Sequence, residues 1–134
     1  MGWSVTTSPK PTQMEKNTRI VMKQYTTPEQ TAKLIELGFE KPNSSIECEL
    51  PEADWRIGAV GIRKAYSIGE LIEMLPMNIN NEGSFEEILI HPNYNRWVVK
   101  YSGIFREPTY QSCMKELVDA LYDMVIKLKE EGVI

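Results

Sequence analysis

Residues 109–132 read TYQSCMKELVDALYDMVIKLKEEG, and this stretch decides the class of the fold. Thr109 is a suitable helix N-cap and Gly132 suits a left-handed C-terminal position. Between them Met114, Leu117, Val118, Leu121, Val125 and Leu128 recur at the three- and four-residue spacing of one helix face. The pattern predicts a long helix over about 110–131. Tyr122 and Ile126 fall outside the stripe, toward Asp119 and Asp123. At one residue per 100° the apolar arc spans roughly 200°, against the ~100° a surface helix needs. Such a helix is either central to the fold or also meets a second chain. Cys113, on the apolar side of the predicted helix, is expected in the core as a small hydrophobe.

Upstream of the helix the period changes. In Arg96–Tyr101, Trp97, Val99 and Tyr101 alternate with Arg96, Val98 and Lys100, which is strand spacing, and Phe85–Ile90 is the natural partner strand. A hairpin through a five-residue loop, His91-Pro92-Asn93-Tyr94-Asn95, joins them, and Ile104 and Phe105 continue the sheet after a kink at Gly103. The asparagine-rich stretch Met77–Ser84 reads as a turn-rich loop. Trp55–Lys64, interrupted by Gly58 and Gly61, reads as a strand with a bulge, and Lys41–Glu52 as a loop carrying at most a short edge strand at Ile46, Cys48 and Leu50.

Two shorter helices carry clear punctuation. Thr27-Pro28-Glu29-Gln30 is a capping box with proline in the first turn, and Gly38-Phe39 suits a Schellman ending, so a helix is expected over about 28–37. Ser67-Ile68-Gly69-Glu70 is a second box, with Tyr66 and Leu71 placed as a hydrophobic staple and Pro76 halting the helix at about residue 75. The expectation is an α+β domain over residues 20–134: a small antiparallel sheet of about three to four strands packed against a long C-terminal helix and two shorter helices. Residues 1–19 hold only Trp3, Val5 and Met14 to bury among Ser, Thr, Pro and charge, so they are expected to form a disordered arm. Met14 and Met22 could each serve as an alternative translation start.

Composition narrows the class of function. With 134 residues, 42% hydrophobic and 25% charged, the chain matches ordinary globular usage. The net charge of -4 and the scattering of Lys and Arg argue against nucleic-acid binding. No apolar run is long enough for a membrane span, and the N-terminus lacks a signal-peptide core, so a cytoplasmic location without membrane contact is expected. Cys48 and Cys113 form neither a CxxC pair nor a metal-ligand cluster with histidine.

Candidate sites are few. His91, the single histidine, has no partner that would make a triad or a metal site; with Tyr94 it marks the hairpin loop as a binding candidate, as Gly58 and Gly61 do for their segment. WRIGAVGIRK has two glycines and no Lys-Ser/Thr pair, so it matches no phosphate-loop fingerprint. The acidic pairs Glu70/Glu73 and Asp119/Asp123 share helix faces, and Asp123 can pair with Lys127 one turn on; these read as solvated faces. Trp97 and Tyr101 are expected in the core and not, with Trp55, Tyr94 and Phe105, on a base-stacking platform. No catalytic residue, metal site or cofactor is assigned, which argues against an enzyme.

TTPEQTAKLIELGFEKP at 26–42, AYSIGELIEMLP at 65–76 and ELVDALYDMVIKLKEEGVI at 116–134 together resemble small uncharacterised proteins encoded by phages, prophages and other mobile elements of gut Bacteroidetes. The resemblance implies a genomic setting and a bacterial host cytoplasm, and it carries over no functional residue. The favoured expectation is a non-enzymatic protein-interaction module, self-associating as a homodimer through Tyr122 and Ile126 and acting on a host protein. The alternative is a small-molecule or nucleotide binder built on the Gly58–Gly61 segment and the His91 loop.

Overall fold

The computed structural model describes residues 22–49, 60–103 and 107–134. Its elements follow the order α1 (Pro28–Glu36), β1 (Ser44–Glu49), β2 (Val60–Ala65), α2 (Ile68–Met74), β3 (Asn78–Asn81), β4 (Ser84–Asn93), β5 (Arg96–Ser102), β6 (Tyr110–Met114) and α3 (Leu117–Glu130). The fold is α+β. β3 to β6 form an antiparallel meander in sequence order, and β1 and β2 pair antiparallel as a separate sheet. The expected arm at 1–19, the Trp55 and Gly58 part of the expected strand, and Ile104 and Phe105 lie outside the described residues.

The short helices form where their caps place them. Thr27 accepts from the Gln30 amide (3.1 Å) and Gln30 returns the bond to the Thr27 amide (3.0 Å). At the other end of α1 the Phe39 amide donates to Leu34 and that of Gly38 to Ile35, with Gly38 at φ 98°, which closes the Schellman pattern. Ser67 and Glu70 make the second box, and Leu75 is extended before Pro76. A contact that periodicity does not reveal ties the two helix starts together: the Thr26 amide donates to Tyr66 O, and the buried Thr26 hydroxyl accepts from the Tyr66 amide and meets Thr31 Oγ1 at 2.7 Å.

The long C-terminal helix is shorter than its pattern suggests. Tyr110–Met114 pairs along β5 as a strand, from Tyr101 opposite Tyr110 to Trp97 opposite Met114, and α3 begins at Leu117. Met114 falls at helical spacing from Leu117 and Val118, but Tyr110, Ser112 and Met114 also alternate. Pairing with β5 satisfies that strand's second edge, and this non-local gain overrides the local helical period. Thr109 is therefore no N-cap. Glu116 stands there with no side-chain cap bond, and its carboxylate instead accepts from the Lys23 amide at 3.2 Å.

Two further expectations change. Asn78–Asn81 is a strand and not a loop, because it pairs with Ser84–Glu87 through a two-residue turn in which Glu82 (φ 52°) and Gly83 (φ 85°) are both left-handed. The hairpin between β4 and β5 is also tighter: Asn93 pairs with Arg96, leaving only Tyr94 and Asn95 in the turn, while His91 and Pro92 belong to β4. The β1 strand covers Ser44–Glu49, longer than a short edge segment, with Gly61 of β2 opposite Cys48.

One face of the meander packs on α3. Ile79, Ile88, Val99, Tyr101, Trp97 and Tyr110 point toward the helix, and from α3 Val118, Ala120, Leu121, Met124, Val125 and Leu128 are each at 0% exposure. α2 lies against the same helix. The wide apolar arc has its account in this position: a helix between a sheet and another helix needs more than one covered face. Tyr122 and Ile126 are half-buried and pack at the edge of this core.

Candidate functional site

Among the described elements, no helix packs on the other face of the meander. Phe85, Glu87 and Leu89 of β4 and Arg96, Val98 and Lys100 of β5 share it by register. Phe85 is 69% exposed and Leu89 44%, while Val98 is buried between its cross-strand neighbours His91 and Cys113. Most exposed apolar residues on a monomer are isolated and unremarkable; two large ones on one strand, beside buried Val98, make a patch of the kind that marks contact sites.

The sequence-derived candidates fall in separate places. His91 lies on this outer face, half-buried, with Nδ1 3.0 Å from Pro92 O. Tyr94 stands at the hairpin tip, fully exposed and at φ 57°. Gly61 belongs to the separate two-stranded sheet, and Gly58 lies outside the described residues. The cavities found among the described residues bring neither Gly61 nor His91 into one pocket. Tyr94 does line an open cavity of about 350 Å³ with Arg96, Trp97, Lys115 and Glu116. Trp97 and Tyr101 face the core as expected. Cys113 is a free thiol on β6, half-buried on the outer face and not on a helix.

Each acidic pair has a structural partner. Asp123 meets Lys127 at 3.0 Å, the anticipated one-turn ion pair. Asp119 receives Lys23 Nζ (3.0 Å) and Gln30 Nε2 (2.9 Å), which clasps the segment before α1 to α3. Glu70 caps its own helix and also accepts from the Asn43 amide and the Ser44 hydroxyl. Burial pushes the Glu70 carboxyl up, but the hydrogen bonds from Ser44, Asn43 and Ser67 outweigh it and hold it below the ordinary value. Lys127 has a second partner, donating to Gln111 O of β6 at 2.6 Å.

Glu86 is the polar residue that sequence reasoning missed. Next to exposed Glu87 in the sequence, it is turned to the opposite face of β4 and fully buried. Thr109 donates to its Oε1 at 2.7 Å, and Oε2 has no hydrogen-bond partner. Gly103 makes room for it: a Cβ there would lie 3.6 Å from Glu86 Cγ and 3.4 Å from Ser84 Oγ. The only available signal was parity, since Glu86 is in step with Ile88 and Ile90.

Among the described residues no three His, Cys, Asp or Glu side chains gather where they could hold a metal ion, and no helix is long and apolar enough to cross a membrane. Comparison with protein-family models, curated proteins and solved structures finds no match to the chain.

Proposed function

We propose that this protein is a non-enzymatic interaction module whose docking surface is the outer face of the β3–β6 sheet. The observation that carries this reading is the pair Phe85 and Leu89, held on that face by a strand whose other side is packed into the core. The sheet is anchored by α3, so the surface is rigid and pre-organised, which lowers the entropy lost on binding. Tyr122 and Ile126, half-buried at the core edge, offer less free apolar area than the sheet face does. The resemblance to mobile-element proteins makes a host protein one class of partner.

A photo-cross-linking residue at position 89, compared with positions 122 and 29, tests the reading in cells expressing the chain. Discrete adducts from position 89, and few from exposed Glu29 on α1, are expected. Adducts from position 122 alone would return the interface to α3, and no adduct above the Glu29 background would remove the reading.

A second reading, small-molecule binding, is favoured by one observation: the cavity of about 350 Å³ at the hairpin tip, within the usual size of ligand sites. Its two aromatic side chains, with Arg96 and Lys115 outnumbering Glu116, suit a flat ring bearing an anionic group, as in a nucleotide. Thermal-shift measurements with nucleotides check it; ligand at a hundred times its dissociation constant adds about 2.7 kcal/mol to stability, and unmoved melting curves would end this reading.

A further inference from the structure

We infer that the occupant of the outer sheet face is a second copy of this chain, packed face to face about a twofold axis that crosses the strands. The inference rests on the reading of that face as an interaction surface and adds the partner. What carries it is the order of charge along the face. Toward the β3–β4 turn the face bears exposed Glu87, with exposed Glu82 in the turn itself; toward the β4–β5 turn it bears Lys100 and exposed Arg96. Phe85, Leu89 and Val98 lie among them.

A face that is acidic at one end and basic at the other is complementary to itself after a half-turn that reverses strand direction, the arrangement an isologous dimer requires. An axis along the strands would instead set Lys100 and Arg96 against their own copies, and like charges in an interface cost several kcal/mol. Register fixes what the crossing axis brings together. Lys100 is level with Leu89, and Glu87 lies two residues further along β4, about 7 Å at strand rise. With the axis between these two levels, Glu87 of one copy stands over Leu89 of the other and level with its Lys100, one strand away, and the reciprocal contact puts Lys100 level with Glu87. The same operation sets Phe85 against the level of Val98 and His91, and Arg96 against the Glu82–Gly83 turn. Each charge finds its opposite within about one strand spacing, while Phe85 comes over His91.

Sedimentation velocity over a concentration series, with circular dichroism melts to establish that every variant folds, tests the inference. The full chain is expected to reach twice its 15.4 kDa mass. Glu87→Lys and Lys100→Glu should each weaken the dimer by about tenfold or more, since each puts two like-charge contacts in the interface, and the double variant should recover most of the loss. Rising salt should weaken the wild-type dimer, because the pairs lie near the solvent. A wild-type chain that stays monomeric throughout the series, or a double variant as weak as the singles, overturns the inference. Should the monomer still give position-89 adducts with other proteins, the interaction reading survives and the second copy alone is lost; a monomer without adducts removes both.

Discussion

Glu86 and Thr109 make a small test of what a buried hydrogen bond contributes. The Thr109 hydroxyl donates to a carboxyl that is otherwise enclosed by sheet and core. Thr109→Val should therefore lower unfolding free energy by about 1–3 kcal/mol in urea titration, because it strands a buried polar group. Glu86→Leu should cost less than Thr109→Val, since removing the polar group also removes its desolvation penalty. Equal losses would mean that the pair contributes more than its parts. Two other residues contribute to how stability depends on pH. Burial pushes the Tyr101 hydroxyl up to about 12, and it donates to Pro76 O at 2.6 Å. A raised folded value means that its contribution is complete below the unfolded tyrosine value of about 10 and is lost as pH climbs from there toward 12. Tyr101→Phe should flatten that alkaline limb of a stability–pH profile. Glu70 works in the other direction: its lowered value means stability present above the unfolded glutamate value of about 4.3 and lost as pH falls through the folded one. Glu70→Ala should flatten the acid limb and cost about 1 kcal/mol for the lost cap.

The elements show which sequence signals can be trusted. Both capping boxes formed where Thr27, Gln30, Ser67 and Glu70 put them, because a cap is a local bargain between a side chain and amides three residues away. The two hairpins were harder to place. Asn78–Asn81 has one buried apolar residue, Ile79, and asparagine favours turns, so nothing local marks it as a strand; Glu82-Gly83 and the pairing with β4 create it. His91-Pro92 looked like loop because proline is rare in central strands, yet β4 has outrun β3 at that level and pairs there only with β5. β6 shows the same limit, since Tyr110–Met114 is compatible with either period and only β5 decides between them. At the tip of the β4–β5 hairpin, Tyr94 holds a left-handed φ with its ring entirely in water. Tyr94→Gly should raise stability by about 1 kcal/mol in thermal melts, because glycine takes that backbone without the Cβ clash. No change in the melt would mean that the turn relaxes the strain by itself.

In the molecule as a whole, α3 is the piece to which the sheet, α2 and the segment before α1 are attached. Leu121, at 0% exposure in that junction, should cost about 2–5 kcal/mol on replacement by alanine, with one cooperative transition still observed in denaturant. The excess apolar arc on α3 was visible in the sequence, and of its two explanations the structure supplies the central position, since the arc turns toward both the sheet and α2. The candidate site was much less legible. Phe85 and Leu89 were read only as strand residues, because alternation says that a strand has two faces but not which of them a helix will cover. That depends on how far the chain travels before α3 returns, which no local pattern encodes.

The Lys127 ammonium on the Gln111 carbonyl bears on how this sheet ends. β6 is the last strand of the meander, and its outer carbonyls would otherwise template another chain. A long cationic side chain bonded to a β6 carbonyl takes that acceptor from another chain, which predicts a brake on fibre growth. Neutralising it by acetylation or Lys127→Gln should shorten the lag before thioflavin-positive aggregates form under mild heating, with little effect on the melting temperature.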